Sequence, residues 1–346
     1  MTPIEHLLRR EIAETGPLTI ARFMELCLAH PEHGYYRTRD PLGAAGDFVT
    51  APEISQMFGE MIGIWIASVW EQMGRPAFHL VELGPGRGTL MADVLRVLAQ
   101  LGAAGAAEPW LIETSPALRA EQAKRVKGAR WAELLEEVPE GPFILIANEF
   151  LDALPVRQFL KSAEGWRERL VGLQEGRLVF GLSEPLPGDD TTPVGAWRET
   201  SPAADAVLDM IACRLERFPG AALIIDYGYR QADRPAGPTL QAVRAHERTD
   251  PLEYPGEADL TWLIDFDALG RRLRGATFRL DEQGPFLARL GIGQRAAALA
   301  KTRPDAAKSV ADALERLTAP EAMGQLFKVA AALSPRLGPP PGFEEE

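Results

Sequence analysis

Cysteines and long apolar runs are both scarce in this 346-residue sequence. Its two cysteines, Cys27 and Cys213, are too few for a disulfide framework, which excludes a small disulfide-stabilised protein and is typical of a reducing compartment. The longest apolar stretch, Met57 to Trp70, is interrupted by Glu60 and two glycines, whereas a membrane span needs about 18 apolar residues in a row. We therefore expect no membrane span and interpret this stretch as a buried helix.

Positive charge is also in short supply, since 37 Lys and Arg stand against 49 Asp and Glu and the formal net charge is -12. This excess of acid repels phosphate backbones, and no compact stripe of Lys and Arg offsets it. We expect no nucleic-acid partner; a protein or a cationic small molecule suits the charge better. The acid-containing N-terminus resembles neither a signal peptide nor a transit peptide, so we expect a cytoplasmic protein without a targeting segment.

The pattern of apolar residues predicts an α/β fold. From Ala77 onward, short apolar runs alternate with helical segments, which is typical of parallel strands covered on both faces. Because a single core stops growing at roughly 250–300 residues, we expect one main domain with large insertions, or two unequal lobes. The predicted strands are 78–83, 110–113, 143–147, 221–226, 278–281 and 326–333, with helices at 90–101, 263–273 and 305–317.

Other elements are predicted outside these core strands and helices. They are two helices within 4–30, hairpins within 156–180, a surface loop at 184–202, and one strand near 240–246 in a loop-rich segment. We expect the chain to divide into five parts: an N-terminal helical and lid segment at 1–76, half of the core at 77–155, an insertion of hairpins, loop and helix at 156–220, the second half of the core at 221–335 with a further insertion at 229–259, and a disordered tail at 336–346.

A glycine-rich loop, VELGPGRGT at 81–89, joins the first predicted strand to its helix. Ligands of parallel sheets bind beyond the carboxyl ends of the strands, and glycine at 84, 86 and 88 removes every Cβ that would obstruct close approach. A tight turn without a ligand is the alternative. The dinucleotide fingerprint requires its third glycine at position 89, where this sequence has Thr89, so the spacing disfavours NAD.

Two acids accompany the loop. Glu82 lies two residues before the first glycine, and Glu113 ends the next strand, where its carboxylate can accept hydrogen bonds from both ribose hydroxyls. Such charged hydrogen bonds are worth about 1.5–3 kcal/mol each. An acid at position 113 also suits the ribose of NAD, so it supports a nucleoside without choosing one.

The glycine loop resembles motif I of class I S-adenosylmethionine-dependent methyltransferases, in which the loop lies under methionine and ribose and the acid lies near the cationic methionine end. Further blocks resemble the MidA-type family, which includes the mitochondrial complex I assembly factor that methylates an arginine. These blocks are HPEHGYY at 30–36, GDFVTAPEIS at 46–55, ETSP at 113–116, NEFLDALPV at 148–156 and GEADLT at 256–261.

The resemblance implies a class I methyltransferase (Rossmann-like) fold with a doubly wound, mostly parallel sheet, an N-terminal helical segment and an inserted hairpin and loop subdomain. It also implies S-adenosyl-L-methionine as cofactor and a protein substrate. In the mitochondrial member that substrate is the 49-kDa-type subunit of complex I, modified to symmetric dimethylarginine. The cofactor-binding residues implied are Glu82, Gly84, Gly86, Gly88, Glu113 and Asn148, and the substrate or lid residues are Asp47, Thr50, Pro52 and Glu53.

The catalytic candidates are Glu149 and Asp152, which follow the strand at 143–147. In methyltransferases this position faces the sulfonium methyl. A guanidinium is protonated at any workable pH, so a carboxylate beside it can bind it bidentately and receive its proton. Other arginine methyltransferases place two glutamates on a hairpin after this strand, whereas here the acids are three residues apart. The alternative is that Asn148 and Asp152 cap or brace the turn before Pro155.

Competing functions are weaker. Cys27, His30 and His33 lack a fourth metal ligand, so we expect no metal, and the nucleophile elbow of serine hydrolases is missing. The sequence thus favours a protein arginine methyltransferase that supports complex I assembly. A non-catalytic assembly factor that binds S-adenosylmethionine is one alternative, and it would bind the cofactor without labelling any protein. An NAD-dependent oxidoreductase is another, separable by titrating NAD against S-adenosylhomocysteine.

Overall fold

A seven-stranded path of hydrogen-bonded strands dominates the computed structural model, which describes residues 1–38, 50–187 and 191–344. The helices are α1 (Pro3–Thr15), α2 (Ile20–Ala29), α3 (Tyr35–Thr38), α4 (Ala51–Ile54), α5 (Gln56–Gln72), α6 (Thr89–Gln100), α7 (Pro116–Arg125), α8 (Pro202–Arg217), α9 (Phe266–Arg272), α10 (Gln283–Arg289), α11 (Ile292–Thr302) and α12 (Ala307–Thr318). The strands are β1 (Leu18–Thr19), β2 (Phe78–Leu83), β3 (Ala107–Ile112), β4 (Arg130–Ala132), β5 (Phe143–Asn148), β6 (Arg157–Ser162), β7 (Gly165–Gln174), β8 (Arg177–Leu182), β9 (Trp197–Thr200), β10 (Gly220–Tyr229), β11 (Gln241–Arg244), β12 (Glu247–Thr249), β13 (Asp259–Thr261), β14 (Ile264–Asp265), β15 (Thr277–Glu282) and β16 (Phe327–Leu333).

The central sheet has the strand order β15-β16-β10-β5-β2-β3-β4, with β14 paired to the end of β10. Strands β4, β3, β2, β5 and β10 are parallel, and β16 runs antiparallel between β10 and β15. The chain starts this sheet at β2 and builds outward first to one side and then to the other. The point between β2 and β5 where the order reverses is the expected position of a ligand crevice. The predicted doubly wound, mostly parallel α/β fold is confirmed.

The chain divides into two units. The sheet unit comprises Val49–Leu151, Val207–Gln231 and Ile264–Glu346, and the insertion unit comprises Met1–Phe48, Asp152–Ala206 and Ala232–Leu263. These limits differ from the expected ones. The expected N-terminal part at 1–76 is shared between both units, and the insertion unit gathers three separate stretches of chain.

Apolar side chains on β2, β5 and α5 form the core of the sheet unit. Every residue of β5 is buried, and Trp65 and Phe58 of α5 are completely buried in the same cluster as the strands. The stretch from Met57 to Trp70 lies within α5, as we expected of a buried helix, and the short helix α4 precedes it. Ser55 is extended between them, and its hydroxyl accepts a hydrogen bond from the Met57 amide at 3.2 Å, which caps α5.

The insertion unit contains the predicted hairpins and two sheets. Its larger sheet has the order β1-β7-β6-β9, with β8 paired to β7, and the turns of the hairpins lie near Gly165 and Gly176. Strand β9 lies within the segment that we expected to be a surface loop at 184–202. The segment 229–259 contributes to a three-stranded sheet, β12-β11-β13, where we expected a single strand.

Buried polar side chains explain why these strands escaped prediction. Glu199 of β9 accepts hydrogen bonds from the Gln158 side chain at 2.6 Å and from the Thr239 amide at 2.8 Å. Hydrogen bonds of this kind satisfy a buried carboxylate and order two segments of polar sequence together. Neither β9 nor the segment around Thr239 shows the alternation of apolar and polar residues by which a strand is recognised.

The C-terminal residues also differ from expectation. We expected disorder from 336, yet Phe343 packs against Phe286 with ring centroids 5.2 Å apart, and Gln72 donates to the Pro339 carbonyl at 3.1 Å. Apolar packing and hydrogen bonds therefore hold the segment as far as Glu344, the last residue that the structure describes. None of the helices within the described ranges combines the length and apolarity that crossing a bilayer requires.

Candidate active site

The glycine loop between β2 and α6 has the backbone conformation that its composition predicts. Gly84, Gly86 and Gly88 all have left-handed φ values, of 60°, 51° and 79°. A Cβ at Gly88 would lie 3.1 Å from Val126 Cγ2, and one at Gly84 would lie 2.9 Å from Phe150. Any residue with a side chain is thus strained at these positions both by its backbone and by its neighbours.

Glu82 presents a buried carboxylate behind this loop. It is 3% exposed, and burial raises its pKa to about 8, while the donating amide of Met91 in the first turn of α6 acts in the opposite direction. Its Oε2 atom accepts no hydrogen bond from the described residues. Burying such an acceptor without a donor is costly, so its presence calls for a ligand or another explanation.

Asn148 has a second buried acceptor of the same kind. Its Oδ1 atom accepts no hydrogen bond from any residue within the described ranges, while its Nδ2 donates to Glu149. Glu82 of β2 is paired in register with Ile146 of β5, and Asn148 lies two residues further along β5. Since side chains two residues apart project from the same face, the two acceptors share one face at the carboxyl ends of neighbouring strands.

Glu113 follows β3 and is held by the chain on both carboxylate oxygens. Oε1 accepts from the Ser115 amide at 2.7 Å and Oε2 from Gln122 Nε2 at 3.2 Å, and burial raises its pKa. An ionised carboxylate has about four lone-pair positions, so Glu113 retains capacity for further donors. It directly follows the strand next to β2, and its binding of the ribose hydroxyls stays a prediction.

Gln122 of α7 is a site residue that the sequence analysis missed. Its fully buried amide donates to the Gly86 carbonyl at 2.7 Å as well as to Glu113, and its oxygen accepts from Trp131 Nε1 at 2.8 Å. It therefore fixes the glycine loop relative to Glu113. The one available signal is its spacing of four residues from Leu118, because these two alone face inward from an otherwise polar helix.

Glu149 stands at the end of β5 in a strained conformation. Its φ of 52° is unusual for a residue with a side chain, and its amide donates to the Ile225 carbonyl at 2.9 Å. Its Oε1 accepts from Asn148 Nδ2 at 3.1 Å and from the Ala51 amide at 3.3 Å. The structure thus brings together the predicted Glu149 and Asn148 and the start of α4.

The short helix α4 carries the described lid candidates. The Thr50 carbonyl accepts from the amides of Glu53 and Ile54, and Pro52 is buried in the first turn. Glu53 Oε1 accepts from Thr89 Oγ1 at 2.5 Å. Three of the four lid candidates therefore lie in a segment bonded to the glycine loop. The fourth, Asp47, lies outside the described residues.

Asp152 is the second catalytic candidate. It belongs to the insertion unit, whereas Glu149 belongs to the sheet unit. Asp152 is 3% exposed, and its carbonyl accepts from the Trp262 amide at 3.2 Å. The Tyr36 hydroxyl donates to Asp259 at 2.7 Å; burial raises the pKa of Tyr36, and the charges of Asp259 and Asp152 raise it further.

The candidate metal ligands have other roles. His30 Nδ1 accepts hydrogen bonds from the amides of Glu32 and His33, which ends α2, and its ring stacks on that of His33. Across the described ranges, no group of three or more His, Cys, Asp or Glu residues is arranged to hold a metal ion.

Comparison with known proteins identifies the family. Residues 61–285 match the model of a family of S-adenosyl-L-methionine-dependent methyltransferases. The chain belongs to this family. The methyltransferase is 37% identical to the mitochondrial protein arginine methyltransferase NDUFAF7 of Mus musculus, in an alignment that covers 96% of this chain and 85% of the mouse protein. It is also 37% identical to the Drosophila melanogaster homologue, with 94% and 83% covered. The predicted MidA-type resemblance is confirmed.

A solved structure agrees with this assignment. The methyltransferase superposes with a TM-score of 0.86 on a Burkholderia thailandensis protein crystallised with S-adenosyl-homocysteine. The two are 30% identical, and the match covers 98% of this chain and 93% of the other. The cofactor of the family is S-adenosyl-L-methionine.

The site residues of the methyltransferase fit a cationic nucleoside. Two buried acceptor oxygens, on Glu82 and Asn148, have no donor among the described residues, and the N–H groups of a positively charged ligand are donors of the kind that such oxygens accept. The left-handed glycines let the loop backbone approach a flat ligand without a Cβ in between. The two acceptor oxygens and the glycine loop are therefore suited to the family cofactor.

Proposed function

We propose that this methyltransferase methylates an arginine side chain of a protein. The observation that carries the proposal is Glu149, a carboxylate held in a strained conformation at the crevice between β2 and β5, where it accepts a hydrogen bond from Asn148. The relatives named as protein arginine methyltransferases support the same activity. We further propose that the substrate is the 49-kDa-type subunit of respiratory complex I, that the product is symmetric dimethylarginine, that the modification supports complex I assembly, and that the chain acts in the cytoplasm.

The cofactor-binding role is assigned to the residues of the sheet unit that surround the glycine loop. In this proposal Glu82 and Asn148 bind the amino acid end of S-adenosyl-L-methionine, the backbone of Gly84, Gly86 and Gly88 lies against it, and Glu113 binds the ribose hydroxyls. Bound there, the cofactor supplies an electrophilic methyl group on a sulfonium. Thr50, Pro52, Glu53 and Asp47 are assigned to the substrate side.

Glu149 is assigned the role of the general base, which accepts a proton from the guanidinium. Methyl transfer is an in-line displacement, so the protein's main task is to align the acceptor nitrogen. A guanidinium stays protonated and its nitrogen electrons are delocalised, which makes it a poor nucleophile. A carboxylate that binds one edge of it draws the positive charge away from the reacting nitrogen and takes up the proton that this nitrogen releases. Asp152, buried in the insertion unit, is the second candidate.

Binding of a cationic ligand at Glu82 releases a proton. With a pKa of about 8, the free enzyme holds this carboxyl mostly protonated at pH 7, and a cation beside it favours the ionised form. We expect about one proton released per S-adenosylhomocysteine bound at pH 7, measured by calorimetry in buffers of different ionisation enthalpy. Glu82→Gln has no proton to release. Equal buffer dependence in both proteins would contradict the assignment.

The same shift predicts how stability depends on pH. The carboxyl of Glu82 ionises near pH 4.5 in the unfolded chain but only near pH 8 in the fold, so between these values the folded state binds the extra proton. This contribution to stability is fully present below pH 4.5 and is lost as the pH rises through 8. Chemical unfolding of the unliganded enzyme between pH 5 and 9 tests this, with Glu82→Gln lacking this part of the slope.

Radiolabelled methyl transfer tests the proposed activity. Extract from a strain that lacks this protein is incubated with purified enzyme and labelled S-adenosylmethionine, and the labelled band is analysed by mass spectrometry. We expect methylated arginine in a complex I subunit and no label with Glu149→Gln. Label on another residue type would reject the arginine assignment. Affinity for S-adenosylhomocysteine without any labelled protein would favour a non-catalytic assembly factor.

A further inference from the structure

Asp226, near the end of β10, holds the turn that carries Glu149. Its side chain is completely buried, its Oδ2 accepts from the Leu151 amide at 2.9 Å, and its Oδ1 accepts from the Tyr227 amide at 2.9 Å. The carbonyl of the preceding residue, Ile225, accepts from the Glu149 amide at 2.9 Å. Two consecutive residues of β10 therefore fix both ends of the three-residue turn 149–151.

The turn needs such a restraint because of its conformation. Glu149 has a φ of 52°, which a residue with a side chain leaves unless its surroundings prevent it. The direction of its carboxylate, toward Asn148 Nδ2 and the Ala51 amide, depends on this backbone angle. If the Leu151 amide were released, the turn would lose one of its two anchors on β10, and the Glu149 carboxylate would move with the backbone.

We propose that Asp226 is a positioning residue for methyl transfer, which acts by holding the Glu149 turn in its left-handed conformation. This inference rests on the proposed role of Glu149. Since Asp226 Oδ2 accepts from the Leu151 amide, its effect reaches the reaction through the backbone of residues 149–151. A displacement of about 1 Å in a reacting group can cost about 100-fold in rate.

Asp226→Asn is the direct test. The amide keeps the size of the side chain but turns an N–H group toward a backbone amide that needs an acceptor. We expect kcat to fall by about 10- to 100-fold, while KM for S-adenosylmethionine and affinity for S-adenosylhomocysteine change less than about threefold. All rates are normalised to the fraction of protein that binds S-adenosylhomocysteine. Asp226→Ser, whose hydroxyl rotates and forces no donor toward another donor, serves if the asparagine variant does not fold.

A double-mutant cycle with Glu149→Gln separates positioning from general stability. If Asp226 acts through Glu149, Asp226→Asn lowers the residual rate less than about threefold in the Glu149→Gln background. Equal losses in both backgrounds would overturn the proposal, as would unchanged kcat in Asp226→Asn alone. Wild-type turnover of Glu149→Gln would instead reject the proposed role of Glu149 itself, so the two failures are distinguishable.

Discussion

Glu149→Gln is expected to lower the rate of methyl transfer by about 100- to 10,000-fold, the contribution of a well-placed general base. Glutamine has nearly the same shape, and its carbonyl oxygen still accepts a hydrogen bond from Asn148 Nδ2 or from the Ala51 amide, the two donors to Glu149 Oε1. The turn is therefore preserved, but the side chain no longer draws the charge of a guanidinium or receives its proton. The measurement is single-turnover transfer of labelled methyl to the protein substrate.

Glu175→Gln is the matched control for this variant. Glu175 also has a left-handed φ, of 50°, but lies in the exposed turn between β7 and β8. The Glu175→Gln variant should keep full activity, and both variants should bind S-adenosylhomocysteine within about threefold of the unmodified enzyme. If Glu149→Gln turned over at the normal rate, Glu149 would have no part in the chemistry and Asp152 would become the leading candidate.

Gly88→Val is expected to weaken binding of S-adenosylhomocysteine by about 100-fold or more. A left-handed conformation costs a side-chain-bearing residue about 1–2 kcal/mol, and a β-branched one more. In addition, the new Cβ would lie 3.1 Å from Val126 Cγ2 and 3.3 Å from Gln122 Cγ. Gln122 holds the Gly86 carbonyl and Glu113, so its displacement disturbs the loop and the carboxylate together.

Gly102→Val separates backbone strain from the effect of these neighbours. Gly102 follows the other end of α6 with a φ of 75°, and a Cβ there would meet nothing within 4 Å. Both variants should lower the melting temperature, but Gly102→Val should bind S-adenosylhomocysteine normally by calorimetry. Equal loss of affinity in both would show that general strain, rather than the geometry of the loop, decides binding.

The core strands and the cofactor loop were predictable because their signals are local. Strand β2 has the predicted bounds, since a run of apolar residues between a turn and a glycine loop fits only a strand buried on both faces. The loop could be placed because positive φ angles select for glycine, and Glu113 could be placed from its position after the next strand.

Two buried polar residues that lie outside the recognised motifs were not predictable. Gln122 and Asp226 are completely buried, yet glutamine and aspartate normally lie on the surface, and their partners are far away in the sequence. The boundary between the units was not predictable either, since the chain passes from the sheet unit to the insertion unit between Leu151 and Asp152, within the motif block at 148–156 and without a break in composition. Residue patterns report which side chains are apolar, and they do not report where the chain changes unit.

The position of β16 in the sheet has a consequence for biosynthesis. This strand lies between β10 and β15, and about a hundred residues separate Tyr229, where β10 ends, from Phe327, where β16 begins. At a synthesis rate of roughly 5–20 residues per second, the nascent chain exposes an unpaired edge of β10 for about 5–20 s. A chain that ends before Phe327 would leave that edge of β10 unpaired permanently, together with one edge of β15. Unpaired strand edges form hydrogen bonds with other chains. Translation must therefore be completed before β10 and β15 are both paired with β16. Prematurely terminated chains should aggregate rather than persist as partly active enzyme.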